Sequence, residues 1–324
     1  MSVRSFALAM FVAACGLSVP HSAMAQTCSF SVSDVNFGTV DLTDGSAYDT
    51  SANFTASCSG GTAGQTLRLC PNLGSGSGGA VGSNAPRTLD SAGNKVGYNL
   101  YSDAGLSTQW GAYTGGGTVP SLLITLDGNG AGTYTGPSTT LYARLFAGQQ
   151  SKPIGSYTAN FTGSPNAYLS WADSSAGNCA AIGITNATAF SFAVSASYSA
   201  VCTVTADTMD FGASITTLSS PIDSMATVTT TCSAASPYTI GLNDGLQATG
   251  SMQRNMSFGA NRLPYQLFQD SNRTTLWGNA GANRKAGTGS GSPQAHQVFG
   301  RIPASASTPA SGTYHDTVIV TVTY

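Results

Sequence analysis

One arrangement of residues occurs twice in this chain of 324 residues, in the same order and at similar spacing. Cys28 and Cys58 lie 30 positions apart, and so do Cys202 and Cys232. Nine residues after the first cysteine of each pair comes Phe-Gly, at Phe37-Gly38 and Phe211-Gly212. Tyr98-Asn-Leu100-Tyr101-Ser-Asp103 is matched by Tyr265-Gln-Leu267-Phe268-Gln-Asp270, and each run leads to Trp-Gly, at Trp110 and Trp277. Arg144 and Arg301 follow, and eleven residues beyond each stands Gly-x-Tyr, Gly155-Ser-Tyr157 and Gly312-Thr-Tyr314. An ordered recurrence of this kind marks a duplicated unit. Whatever the chain folds into, it folds into twice, over 26–185 and 200–324.

Composition sets the class of that unit. Charged residues make up 8% of the chain, and all 14 acidic residues are aspartate. Lysine occurs only at Lys95, Lys152 and Lys285. Good helix formers are therefore scarce, while Gly, Ser, Thr and Val dominate, which is an all-β composition. Short apolar runs alternate with Gly, Asn, Asp and Pro clusters, the spacing of a sandwich of six or seven antiparallel strands per copy. A surface so poor in Lys and Arg excludes nucleic acid as a partner.

The first residues read as a signal peptide, 1–25. Arg4 supplies a positive start, Phe6 to Leu17 an apolar run too short to span a bilayer, and Ala23-Met24-Ala25 a small-x-small cleavage site. Val12-Ala-Ala-Cys15-Gly16 is a competing lipoprotein site, less well placed. Export implies an oxidising compartment, so the six later cysteines are read as disulfides. Six cysteines allow 15 pairings; duplication favours Cys28–Cys58 and Cys202–Cys232, which leaves Cys70–Cys179. No Cys-x-x-Cys pair occurs, and only His296 and His315 follow the signal, so no metal site is expected.

The copies differ in ways that matter. The first carries extra Gly-rich stretches, 74–82 and 111–136, and loops on a rigid sheet are where binding concentrates. Between the copies, 186–199 contains Phe190, Phe192, Val194, Ala196 and Tyr198 at alternate positions, a strand with one apolar face. This segment is expected to serve the first domain in cis as a last strand beside Gly155–Phe161. The second copy ends in Thr317, Val318, Ile319, Val320, Thr321 and Val322, a β-rich run with nothing after it to pair with. An open strand edge is a template for strand addition from another chain. Only two residues separate the cleavage site from Cys28, so the chain is expected to accept a strand and have none to give.

The second copy carries Cys232-Ser-Ala-Ala-Ser-Pro-Tyr, Leu263-Pro-Tyr-Gln-Leu-Phe-Gln-Asp, Trp277-Gly, Gly300-Arg-Ile-Pro and Gly312-Thr-Tyr-His-Asp-Thr-Val. In these motifs it resembles a spore coat protein U domain. The first copy matches less well, Gly-Arg-Ile-Pro becoming Ala143-Arg-Leu-Phe. Such domains resemble subunits of archaic chaperone–usher pili. The resemblance implies two tandem immunoglobulin-like β-sandwiches, the C-terminal one lacking its final strand. It implies donor-strand assembly, with a periplasmic chaperone, an outer-membrane usher and an adjacent subunit's N-terminal strand as partners. It also implies a tip position at the cell surface and attachment to an abiotic or host surface through apolar loop tips. The candidates for that contact are Leu73, Val81, Tyr113, Val119, Leu122 and Leu123, with Tyr168, Leu169 and Trp171 a further apolar cluster. A soluble secreted binding or coat protein that never polymerises is the other reading.

No catalytic constellation stands out, so no enzyme activity and no cofactor are expected. Nothing marks a nucleophile elbow. Gly74–Gly79 lacks the Lys-Ser/Thr of a phosphate loop. Asp103 and Asp270 recur where a turn needs capping.

Overall fold

In this computed structural model residues 26–79, 86–113, 118–127, 132–212, 217–305 and 309–324 are described. The first domain comprises strands β1 (Thr27–Val32), β2 (Val35–Val40), β3 (Tyr48–Ser59), β4 (Thr66–Leu73), β5 (Arg87–Ser91), β6 (Asn94–Tyr101) and β7 (Leu122–Thr125). It continues with β8 (Tyr134–Thr135), β9 (Thr139–Leu145), β10 (Gly155–Thr162) and β11 (Ala167–Asp173). The connecting segment supplies β12 (Thr188–Ala189) and β13 (Ser191–Tyr198). The second domain has β14 (Cys202–Ala206), β15 (Ile222–Cys232), β16 (Pro237–Leu242), β17 (Arg254–Phe258) and β18 (Asn261–Phe268), then β19 (Lys285–Thr288), β20 (Pro293–Ile302) and β21 (Val320–Thr323). The two α-helices among the described residues are single turns, α1 (Gly163–Asn166) and α2 (Cys179–Ile182).

Strand order shows the duplication directly. One sheet of the first domain runs β1-β3-β9-β6-β5 and then on through β10-β13-β2. The matching sheet of the second runs β14-β15-β20-β18-β17 and ends there. The opposing sheets are β12-β11-β4-β7 and β19-β16-β21. Alternate residues of each strand face inward, giving one core around Phe30, Phe54, Trp110 and Phe161 and a second around Tyr238, Tyr265 and Trp277.

The cysteines pair as the repeat favours. Cys28 and Cys202 lie directly opposite Cys58 and Cys232, joining β1 to β3 and β14 to β15. Cys70–Cys179 ties β4 to α2.

The other repeated residues have the same partners in both copies. The Trp110 indole donates to the Pro71 carbonyl at 2.8 Å, and Trp277 to Ile240 at 3.0 Å. Arg144 grips Asp49 through two bonds of 2.6 Å, and Arg301 grips Asp223 at 2.7 and 2.9 Å. Asp103 accepts from the backbone of Ser107 and Thr108, and Asp270 from Thr274 and Thr275. These backbone bonds come first among the causes that hold both carboxyls below the ordinary range.

One repeated pair went unread in the sequence. Arg87 and Arg254 each precede the repeated tyrosine by eleven residues and are almost wholly buried. The Arg87 guanidinium donates to the carbonyls of Leu73, Gly74 and Trp110, each at 2.6 Å. Arg254 donates to Leu242 and Asn243 at 2.9 Å and to Trp277 at 2.8 Å. Each arginine thus fastens the end of one sheet to the tryptophan turn. Burial pulls Arg87 down to about 10 and lowers Arg254 as well, yet both remain cations at neutral pH.

Two expectations follow. Arg254→Leu strips the donor from three carbonyls and is expected to lower second-domain stability by about 3 kcal/mol or more, read as a shift in its denaturant midpoint. His296 Nε2 lies 3.0 Å from Thr230 Oγ1 and 3.1 Å from the Tyr238 hydroxyl. Burial, with Lys285 adding to it, holds this imidazole below its ordinary 6.5. The unfolded chain therefore binds this proton first. Second-domain stability should be full above that value and fall as pH drops through the lowered folded value, and His296→Gln should flatten that slope.

Candidate functional site

The structural question is what closes each sandwich. In the first domain β13 does so. It runs antiparallel to β10 from Thr162↔Ser191 to Gly155↔Tyr198, and parallel to β2 from Val35↔Val194 to Val40↔Tyr198. β12 begins the same segment and pairs with Tyr168 and Leu169 of β11. Phe190, Phe192, Val194, Ala196 and Tyr198 all point into the core and are buried. Phe192 stacks on Phe161 with ring centroids 4.5 Å apart, and Phe190 packs on Phe30 at 5.0 Å. The Asp34 carboxylate accepts from the Ala193 amide at 2.8 Å, pinning the segment's entry.

In the second domain the matching place is a groove. Its banks are 206–211 and 314–320; counted from the shared cysteines and the Gly-x-Tyr motif they match 32–37, where β1 gives way to β2, and 157–163, which is most of β10. The cavity between them is about 550 Å³ and is floored by Val228, Met256, Tyr265 and Val298. A further lobe of about 640 Å³ extends beside Met209, Phe211 and Tyr314. No strand lies between these banks among the described residues.

The groove exposes positions that the first domain buries. Phe30 of β1 is 5% exposed, whereas its counterpart Val204 is 36% exposed. Val32 is buried and Ala206 is exposed; Val35 is buried and Met209 is half-buried. On the other bank Tyr157, Ala159 and Phe161 are buried, while Tyr314, Asp316 and Val318 are half-buried. The second domain therefore displays inward-facing positions that the first domain covers with β13.

The backbone follows the same rule. A strand is expected from Thr317, yet the structure begins one only at Val320. Upstream, 312–319 touches β17 at a single bridge, Ser257↔His315. Val320, Thr321 and Val322 pair with β16, so that edge is occupied by the opposing sheet. Thr317, Val318 and Val320 line the groove, while Ile319 is exposed and donates its amide to Asn243. The bank also reaches upstream to Tyr314, His315 and Asp316, which the sequence reading left out. Propensity marked the strand, but a ladder forms only where a partner lies alongside.

The surface-loop candidates separate into three groups. Leu73 is a correction: it ends β4 and is a core residue, 1% exposed. Tyr168, Leu169 and Trp171 are likewise core residues of β11. Leu122 is half-buried on β7 opposite Leu69, and Val119 is half-buried against the Cys70–Cys179 disulfide and Ile182. Tyr113 and Leu123 are exposed. Val81 lies outside the described residues. Sequence reasoning missed Ile184, which is exposed and adjoins Gly183, a residue that packs near the Tyr113 ring. Its only signal was position, one turn beyond Cys179.

The Spore Coat Protein U domain model matches residues 14–163 and 188–321, and the chain belongs to that family. Protein U of Myxococcus xanthus is 37% identical over 100 residues, 29% of this chain, which spans 55% of that protein's length. Among solved structures, the CsuC–CsuE chaperone–tip adhesion subunit pre-assembly complex from archaic chaperone–usher Csu pili of Acinetobacter baumannii is similar. Its TM-score is 0.51 at 20% identity, covering 92% of this chain and 100% of that one. The CupB6 tip adhesin of Pseudomonas aeruginosa matches at a TM-score of 0.39 and 11% identity, over 92% of this chain and 94% of its own. The fold is similar to that of the Csu tip adhesion subunit.

Phe192→Ala removes the stacking partner of Phe161 and is expected to destabilise the first domain by about 3–5 kcal/mol. The second domain's unfolding transition should not move, since Phe192 touches nothing in that domain's core.

Proposed function

We propose that this chain is a tip subunit of an archaic chaperone–usher pilus, exported through the periplasm, whose second domain is completed by a strand from an adjacent subunit. The carrying observation lies inside the molecule. In the first domain β13 pairs with β10 on one side and β2 on the other, and in the second the matching inward positions are exposed, which supports reading β13 as a donor strand. A strand whose apolar side chains alternate, as those of β13 do, would satisfy both the apolar floor and the unpaired backbone. A periplasmic chaperone would hold the groove before assembly, and an outer-membrane usher would exchange it for the adjacent subunit's strand. The fold-level likeness to the Csu tip adhesion subunit over 92% of the chain supports this placement.

Attachment falls to the first domain in this reading. Its own groove is filled in cis, and it carries Tyr113, Leu123 and Ile184 as exposed large apolar residues. Isolated apolar side chains are ordinary on a surface; here Gly183, the neighbour of Ile184 in sequence, lies against the Tyr113 ring. Such a tip would press against an apolar abiotic or host surface and promote biofilm formation. Replacing Tyr113 and Ile184 together by serine should lower retention on polystyrene without changing pilus length.

Hydrogen exchange tests the groove. Amides of 208–211 and of Tyr314, Asp316 and Val318 should exchange rapidly in the free chain and become protected in complex with a chaperone or an adjacent subunit. Protection equal to that of β10 and β2 in the free chain would instead mean that the second sandwich is already complete, the behaviour of a secreted protein that does not polymerise.

A further inference from the structure

The two domains differ most sharply at one inward position. Where β10 carries Ala159, fully buried and directly opposite Val194 of β13, the second domain carries Asp316. This carboxylate lies inside the groove. One oxygen accepts from the Tyr265 hydroxyl at 2.7 Å, and the other from the Leu246 amide at 2.9 Å and the Thr317 amide at 2.8 Å. The matching Tyr98 hydroxyl has no hydrogen-bond partner among the described residues. In the first domain the loop amide matching Leu246, that of Ser77, bonds instead to the backbone of β10, at Asn160 O. Asp316 thus does with its side chain what β10 does with its main chain.

We propose, resting on the acceptor-groove reading, that Asp316 selects the incoming strand and excludes copies of this chain's own donor segment. Opposed residues of an antiparallel pair face the same side, close enough for their side chains to touch. Seated in the second groove in the register of β13, the chain's own segment would lay Val194 over the carboxylate. Its other side chains meet no such obstacle, since Phe190 and Phe192 would face Val204 and Val318, both smaller than the Phe30 and Phe161 they meet in cis. Covering a carboxylate with an isopropyl group removes its remaining water and returns no hydrogen bond. A carboxylate accepts about four hydrogen bonds, and three are in use here. A Ser or Thr in place of the valine would supply the fourth. The groove therefore takes an apolar strand with a hydroxyl at its centre, so subunits of this protein do not cap one another through 188–198.

Two peptides test this on the full exported chain. One copies 188–198; the other differs only by Val194→Ser. The unmodified protein is expected to bind the serine peptide at least tenfold more tightly than the valine peptide, by titration of a fluorescent label. In Asp316→Ala the valine peptide should gain at least tenfold, and the preference for serine should vanish. Equal binding of both peptides by the unmodified protein overturns the selection while leaving the acceptor groove standing, and that comparison requires no variant to fold. Binding of neither peptide to either protein would overturn the groove and the selection with it.

Discussion

Eight opposed residue pairs between β10 and β13, with a parallel contact to β2 on the far side, hold the first sandwich shut. Without β13 the inner faces of β1, β2 and β10 would meet water, and a row of amides and carbonyls would lose their partners. Both costs have the same cure, an extended segment with apolar side chains at alternate positions. The first domain takes that segment from the chain that leads to the second. The second domain, built on the same plan, presents the two banks as a groove.

The scaffold around that difference is the same in both copies. A buried arginine bonds three carbonyls, a tryptophan indole bonds a fourth, a bidentate Arg–Asp pair ties β3 to β9 and β15 to β20, and a disulfide joins β1 to β3 and β14 to β15. The apolar core and these bonds orient the banks without any contribution from the closing strand. That explains how the second domain keeps a shaped groove rather than a collapsed edge. It also confines what distinguishes the same place in the two domains to a handful of inward side chains, of which Asp316 alone changes from apolar to charged.

Much of this was legible in the chain. The repeat gave the domain count and favoured a disulfide pattern that the structure adopts. The two-residue alternation of 190–198 gave a strand with one apolar face, and its place between the copies suggested which domain it would serve. Arg87 and Arg254 were equally regular but passed unread, because a polar residue in a strand-rich stretch looks like surface until its burial is known. Leu73 reads as a loop tip because Gly-rich sequence follows it directly, although it ends a core strand. The edge in the second domain was assigned to Thr317–Val322 on propensity, and the structure moves its open part upstream.

Local pattern determined which segments extend and which of their faces are apolar, since these depend only on neighbours within a few residues; the order and spacing of motifs along the whole chain determined that the unit occurs twice. Tertiary structure decided which edges meet. The banks of the groove, 206–211 and 314–320, are about a hundred residues apart in sequence, and no periodicity in either stretch records the other. That Asp316 faces inward onto Tyr265, in the place held by Ala159 in the first domain, follows from the packing of the two sheets and from nothing shorter in range.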